Sequence, residues 1–144
     1  MIREAKLEDM DAVVRMGLRF AEETHYGGII KTDPAWITKT AADLMGRDSS
    51  AVLVSENGHG PNGIIAVLMY QHPFSGEKTA FEVFWWSDPE AVGTGIRLVK
   101  AAEKWAQERG ATAMQMIAPE GSDVGLLYRR MQYAPVERSY QRRF

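Results

Sequence analysis

The sequence predicts a mixed α/β fold, in which a mostly antiparallel central sheet carries helices on both faces. Four segments repeat apolar residues at helical spacing, and a glycine-rich turn joins two strand-like runs into a hairpin. The order of segments is β-α-α-β-β-β-α-β-α-β, so three consecutive strands separate two groups of helices. This order predicts a mixed sheet rather than a regular βαβ alternation.

Composition and charge are typical of a globular domain without disulfides and without a basic surface for nucleic acid or membranes. The chain has 144 residues, 45% of them hydrophobic and 25% charged, which is typical of one globular domain spanning residues 1–144. The absence of cysteine excludes a disulfide framework, and a net charge of -2 favours neither nucleic acid nor a membrane as partner. No long apolar stretch is present, so we expect a cytoplasmic protein.

The first half begins with a strand and two helices. Ile2–Ala5 has the pattern of a short strand, and the apolar stripe of Leu7–Glu23 predicts a helix. A second helix is expected to start with Asp33 as its N-cap and Pro34 in its first turn, and to run to about Met45.

Three strands follow the second helix. Ala51–Ser55 and Ile64–Tyr70 are strand-like and flank a segment dense in glycine and asparagine, which predicts a hairpin. A further turn leads to a third strand, Thr79–Trp86. We therefore expect these three strands to be antiparallel neighbours.

The second half returns to helical spacing. A helix is expected to open at Gly95 and to end near Arg109, followed by a strand over Ala113–Ala118, a helix over Ser122–Met131 and a final strand over Tyr133–Arg142. The crossover from the third strand through the helix to Ala113–Ala118 should be parallel and right-handed.

A glycine pair at the start of this helix has two interpretations. Gly93-Thr94-Gly95 would present backbone N–H groups at the positive end of a helix dipole, where phosphate binds, and Thr94 could add a hydroxyl donor. Alternatively, Gly93 and Gly95 only form a tight turn and let the helix pack closely on the sheet. The glycines alone do not decide between the two.

Two motifs resemble those of the GNAT superfamily of N-acetyltransferases. The segment similar to the family's pyrophosphate motif is Phe84-Trp85-Trp86-Ser87-Asp88-Pro89-Glu90-Ala91-Val92-Gly93-Thr94-Gly95-Ile96-Arg97-Leu98-Val99. The segment similar to its late helix motif is Leu127-Tyr128-Arg129-Arg130-Met131-Gln132-Tyr133. The order of elements is similar over the whole chain. The resemblance implies a transferase that moves an acetyl group from acetyl-CoA to a primary amine of a small molecule or protein, in a ternary complex.

The resemblance also implies roles for individual residues. Tyr128 would be the general acid, although its apolar stripe also suits a core tyrosine. Glu82 would be the base, on the same sheet face as Phe84 and Trp86, unless it is simply a solvent-facing glutamate. The residues expected to bind the cofactor are Phe84, Trp85, Trp86, Val92, Gly93, Thr94, Gly95, Ile96 and Arg97.

Acceptor binding is expected at His25 and Tyr26, in the loop between the first two helices, where a lone histidine is also often only solvated. No metal site is predicted, because the three histidines lack ligand spacing. The final segment could pair between the subunits of a homodimer, and its arginines favour a solvated face over nucleic-acid binding.

Three positions depart from the family pattern. Glu90 and Val92 stand where the motif commonly has arginine or glutamine, and Gln132 replaces a usual glycine. A carboxylate beside a pyrophosphate is repulsive unless it turns away. The alternative function is therefore a GNAT-fold module that binds acyl-CoA, or regulates, with little or no catalysis.

Overall fold

A computed structural model describes residues 1–24 and 26–144, and the strands of this part form one sheet in the order β1-β2-β3-β4-β5. Neighbouring strands are antiparallel except β4 and β5, which are parallel as predicted for the crossover. The strands are β1 (Ile2–Glu4), β2 (Ser50–Asn57), β3 (Gly60–Gln71), β4 (Lys78–Ser87) and β5 (Ala113–Gln115).

The helices are α1 (Met10–Glu23), α2 (Tyr26–Ile29), α3 (Pro34–Met45), α4 (Thr94–Glu108) and α5 (Val124–Arg130). The predicted start of α3 is confirmed, because Asp33 Oδ1 accepts a hydrogen bond of 2.9 Å from the Ala35 amide and Pro34 occupies the first turn. Among the described residues, no helix combines the length and the apolarity needed to cross a bilayer.

Helices cover both faces of the sheet, as predicted. Side chains of β2 and β3 alternate between two cores, because successive strand residues point to opposite faces. The core under α1 and α3 contains Val52, Val54, Ile64 and Ala66, and the core under α4 contains Ala51, Leu53, Ile65 and Val67. Each fully buried valine, leucine or isoleucine contributes about 1.5–3 kcal/mol through burial of its apolar surface.

A β-bulge in β4 changes which side chains lie on each face of the sheet. The two consecutive β3 residues Ala66 and Val67 pair with Phe84 and Glu82, so that Val83 is an extra residue. Glu82 therefore lies on the α4 face, whereas Phe84 packs against the core of α1 and α3. The prediction that Glu82 shares a face with Phe84 was wrong, because simple alternation does not hold across the bulge.

The parallel strands β4 and β5 separate after a short pairing. Their register extends only from Thr79 opposite Ala113 to Phe81 opposite Gln115. The predicted strand over Ala113–Ala118 ends at Gln115, so the second half of β4 has no ladder partner on this side. This divergence opens the sheet beside Glu82.

The expected final strand over Tyr133–Arg142 is absent, since residues 133–144 contain neither strand nor helix. Two local features account for this. Gln132 takes a positive φ of 69°, which turns the chain sharply at the end of α5, and Pro135 lacks an amide for a strand ladder. The segment instead contacts the region of α2, where the Arg143 guanidinium donates a 2.6 Å hydrogen bond to the Ile29 carbonyl.

Candidate active site

A cavity of about 290 Å³ lies where β4 and β5 separate. Phe20 and Tyr26 line it on the side of α1 and α2, and Trp85 and Tyr128 line it on the side of α4 and α5. Glu82, which is only 2% exposed, contributes its carboxyl group between them. The cavity thus joins the two faces of the sheet through the gap between the strands.

Side chains hold this gap open through the backbone of Ile117. The Ile117 amide donates a 2.8 Å hydrogen bond to Glu82 Oε2, and the Tyr128 hydroxyl donates a 2.7 Å hydrogen bond to the Ile117 carbonyl. Trp85 Nε1 in turn donates to the Tyr128 oxygen at 2.8 Å. Glu82 and Tyr128 therefore replace the ladder bonds that β4 does not make here, which satisfies both polar groups of Ile117.

Burial controls the protonation of Glu82. It raises the pKa of the carboxyl group to about 8, and the hydrogen bond from the Ile117 amide opposes that rise only in part. Within the described residues, no cation forms an ion pair with Glu82. Once ionised, such a carboxylate is a stronger base than an ordinary glutamate.

Tyr128 is also a buried titratable group. Burial, and next the charge of Glu82, raise the pKa of its phenol well above the usual range, although the Trp85 hydrogen bond lowers it. The phenol is therefore protonated at neutral pH. Its single proton is directed to the Ile117 carbonyl, so Tyr128 positions the chain after β5.

The two glycines at the start of α4 both have structural reasons. Gly93 adopts a positive φ of 79°, which favours glycine, and a Cβ on Gly95 would lie 2.5 Å from the Trp85 ring. The tight turn and the close packing are therefore both observed. Thr94 is buried, and its hydroxyl oxygen accepts a 3.0 Å hydrogen bond from Arg97, so it does not point outward as expected.

The start of α4 nevertheless presents hydrogen-bond donors to solvent. The amides of Gly95 and Ile96 have no acceptor among the described residues, and the Arg97 side chain is exposed beside them. This donor set fits an anion such as a pyrophosphate. Val92 and Glu90 are also exposed, and the Glu90 amide donates to Asp88 Oδ1 at 3.0 Å.

The predicted cofactor residues do not all lie together. Trp85 reaches both Gly95 and Tyr128, whereas Phe84 and Trp86 lie on the opposite face with α1 and α3. Tyr26, which the sequence singled out for acceptor binding, lines the cavity. His25 lies outside the described residues.

Phe20 and Glu23 are among the cavity residues that sequence reasoning missed. Phe20 and Glu23 lie at the end of α1, three positions apart and therefore on one side of the helix. Trp86 Nε1 donates a 2.6 Å hydrogen bond to Glu23 Oε2, which fixes the carboxylate at the cavity. Only the spacing of Phe20 and Glu23 before the predicted acceptor loop could have signalled this pair.

Solved structures with the same fold cover the whole chain. A ribosomal-protein-alanine N-acetyltransferase from Brucella melitensis biovar Abortus 2308 has 17% identity and a TM-score of 0.75, covering 100% of this chain and 99% of its own. The aminoglycoside acetyltransferase AAC(6')-Iy, in complex with the bisubstrate analogue CoA-S-monomethyl-acetylneamine, has 13% identity and a TM-score of 0.81, with 100% and 97% covered. A transcriptional regulator from Bacillus halodurans C-125 has 20% identity and a TM-score of 0.83, with 100% and 99% covered.

No protein-family model matches the sequence, and no curated protein matches it either. The structural likeness defines the fold: the chain has the fold of solved acetyltransferases, which the transcriptional regulator from Bacillus halodurans C-125 shares. In particular, this is the GNAT fold, so the resemblance seen in the two sequence motifs is confirmed at the level of fold.

Proposed function

We propose that this protein is an N-acetyltransferase that moves an acetyl group from acetyl-CoA to a primary amine bound in the cavity between β4 and β5. The observation that carries the proposal is the position of Glu82 and Tyr128 on this one cavity, on the side of the sheet where α4 begins. The AAC(6')-Iy complex with a CoA-containing bisubstrate analogue supports the choice of acyl donor.

The chain's own residues would hold the acyl donor in two places. The amides of Gly95 and Ile96, with Arg97, would bind the pyrophosphate at the start of α4. The unpaired second half of β4, which includes Trp85, would offer backbone groups to the arm that carries the thioester. Acetyl-CoA would supply the acetyl group as a thioester, whose carbon–sulfur bond breaks as the amine nitrogen bonds to the carbonyl carbon.

Glu82 would remove a proton from the amine. An alkylamine has a pKa of about 10.4 and is mostly protonated at neutral pH, so the nucleophilic form must be generated at the site. The ionised Glu82 carboxylate, with a pKa of about 8, would take that proton. We expect activity to rise with pH as this group ionises.

Tyr128 would protonate the departing thiolate. The raised pKa of the phenol keeps the proton in place until it is needed, and rotation of the hydroxyl would redirect it from the Ile117 carbonyl to the sulfur. The nitrogen would lose its second proton to the tyrosinate as the amide forms, which restores Tyr128. Glu82 would release the first proton to solvent, so that one proton leaves in each turnover of an alkylammonium.

A binding or regulatory module is the second candidate. Glu90 and Val92 stand exposed where the family motif commonly has a side chain that contacts the pyrophosphate. Acyl-CoA would then bind through the amides and Arg97 without a side chain from these two positions, and transfer would be slow or absent.

Thermal unfolding with acetyl-CoA, CoA and ADP would test the proposal first. A ligand at about 100 times its Kd adds roughly 2.7 kcal/mol to the free energy of unfolding. ADP is the control that shows whether any nucleoside diphosphate stabilises the protein equally. We then expect thiol release from acetyl-CoA in the presence of amines. Stabilisation without thiol release would favour the regulatory module, and no stabilisation at millimolar acetyl-CoA would contradict both.

A further inference from the structure

The wall of the cavity formed by α1 and α2 is mainly aromatic. The rings of Phe20 and Tyr26 are 5.7 Å apart, and Phe84 packs on Phe20 at 5.8 Å. Trp86 lines the same wall through its position on the α1 face of β4. Such rings stabilise apolar groups and also cations placed over their faces.

One carboxylate stands in this aromatic wall. Glu23 accepts from Trp86 Nε1, and Arg19 Nε lies 3.5 Å from its second oxygen, Oε1. Arg19 and Glu23 are 55% and 42% exposed, so solvent weakens this ion pair. Of the two side chains, Glu23 lines the cavity and Arg19 does not. A carboxylate has about four acceptor positions, so Glu23 can take a further donor from a ligand.

The electrostatic character of the whole cavity favours a cation. Among the described residues, its charged groups are the carboxyl groups of Glu23 and Glu82, and no lysine, arginine or histidine lines it. The carboxyl end of α1 also lies here, and the C-terminus of a helix carries partial negative charge. An anionic acceptor would therefore be repelled, and an ammonium group attracted.

The aromatic wall of the cavity offers one carboxyl group to a positive charge. Glu82 lies on the opposite face of the sheet and accepts the Ile117 amide, so Glu23 is the carboxyl group of this wall. A second ammonium group would be desolvated against rings, which is costly. The volume of about 290 Å³ is at the lower limit for small-molecule sites and suits one ring with a short side chain.

We propose that the acceptor is a small arylalkylamine or similar amine with one positive charge and an apolar body, held by Glu23 and the rings of Phe20, Tyr26 and Trp86. This inference rests on the proposed function for its biological meaning. The binding itself does not require transfer, and it can be measured without any acyl donor.

Calorimetric titration with 2-phenylethylamine in the absence of acetyl-CoA tests the site. The neutral isostere 2-phenylethanol should bind at least about tenfold more weakly, because a hydrogen bond to a charged group contributes about 1.5–3 kcal/mol. The variant Glu23→Gln keeps an acceptor for Trp86, and it should lose about tenfold in affinity for the amine but little for the alcohol. Glu22→Gln, on the exposed neighbouring residue outside the cavity, is the matched control and should bind like the wild type.

Turnover of competing amines separates this inference from the proposed function. With acetyl-CoA present, 2-phenylethylamine should give a higher kcat/KM than spermidine or sisomicin, which carry several charges, and Glu23→Gln should raise KM with little change in kcat.

Preference for the polycations would overturn the inference but leave the proposed function standing. Binding of 2-phenylethylamine without turnover would support the site and contradict the transferase. Absence of 2-phenylethylamine binding would overturn the inference whatever the activity.

Discussion

At the scale of single residues, Glu82 has a structural role and a proposed chemical role, which one substitution can separate. Its Oε2 accepts the Ile117 amide, which holds the gap between β4 and β5, and its raised pKa makes it the proposed base. Glutamine in its place retains a carbonyl oxygen as acceptor but cannot take a proton. The structural and the chemical roles of this position are therefore distinguishable.

We predict that Glu82→Gln folds normally and lowers kcat by about 10²–10⁴-fold, the usual contribution of a general base. Steady-state rates from pH 6 to 10, with circular dichroism to check the fold, measure this. The wild type should show an acid limb with an apparent pKa near 8, and the variant should lack it. Equal activity of the two proteins would remove Glu82 from the chemistry.

Tyr128 differs from Glu82 because its hydroxyl forms hydrogen bonds with two groups, Trp85 Nε1 and the Ile117 carbonyl. We predict that Tyr128→Phe lowers the free energy of unfolding by about 1–3 kcal/mol, because Trp85 Nε1 and the Ile117 carbonyl lose a partner. Urea unfolding measures this, with Tyr70→Phe as a control, because Tyr70 is exposed and its hydroxyl donates a 3.0 Å hydrogen bond to Gln115 Oε1. The control should change by less than about 1 kcal/mol. If Tyr128→Phe is as stable as its control and also fully active, both of its roles are wrong.

At the scale of elements, the start of α4 depends on close contact with β4. A Cβ on Gly95 would lie 2.5 Å from Trp85, whereas a Cβ on Gly125 in α5 would meet nothing within 4 Å. These two helical glycines therefore form a matched pair, in which only one has a packing reason.

We predict that Gly95→Ala destabilises the protein by about 1–3 kcal/mol through overpacking and weakens the stabilisation by acetyl-CoA. Gly125→Ala should be neutral or stabilising by up to about 1 kcal/mol, because alanine reduces the freedom of the unfolded chain. Thermal and urea unfolding of both variants, with and without acetyl-CoA, make the comparison. Similar behaviour of the two variants would show that the contact with Trp85 is unimportant.

The elements also show what the sequence could and could not predict. Apolar spacing was sufficient for α1, α3, α4 and α5, and the turn residues were sufficient for the hairpin of β2 and β3. The short helix α2 lies where the sequence predicted a loop, because four residues that include two glycines carry no helical pattern. The bulge at Val83 was not visible, because the extra residue is apolar and continues the strand pattern. The candidate site shows the same division: Tyr26, Trp85 and Tyr128, which the sequence singled out, line the cavity, and so does Glu23, which no sequence motif indicated.

At the scale of the whole molecule, two buried carboxyl groups should give stability an unusual dependence on pH. Arg3 donates to both oxygens of Asp9, at 2.7 and 3.0 Å, and holds the pKa of that carboxyl at about 2. The stabilisation is present above the ordinary pKa near 4 and is lost as pH falls towards 2. Glu82 acts in the opposite direction, because its pKa is raised in the folded protein.

We therefore predict that stability is greatest near pH 4–5 and falls as pH rises towards 8. In this window the unfolded chain has released the Glu82 proton and the folded chain keeps it, so each pH unit removes up to about 1.4 kcal/mol. Urea unfolding between pH 3 and 9 measures the curve. Glu82→Gln should abolish the decline above pH 5, whereas Asp9→Asn should remove part of the rise below pH 4. A maximum at pH 7 or above in the wild type, or an unchanged decline in Glu82→Gln, would mean that Glu82 ionises as an ordinary carboxylate and lacks the raised pKa that the proposed base requires.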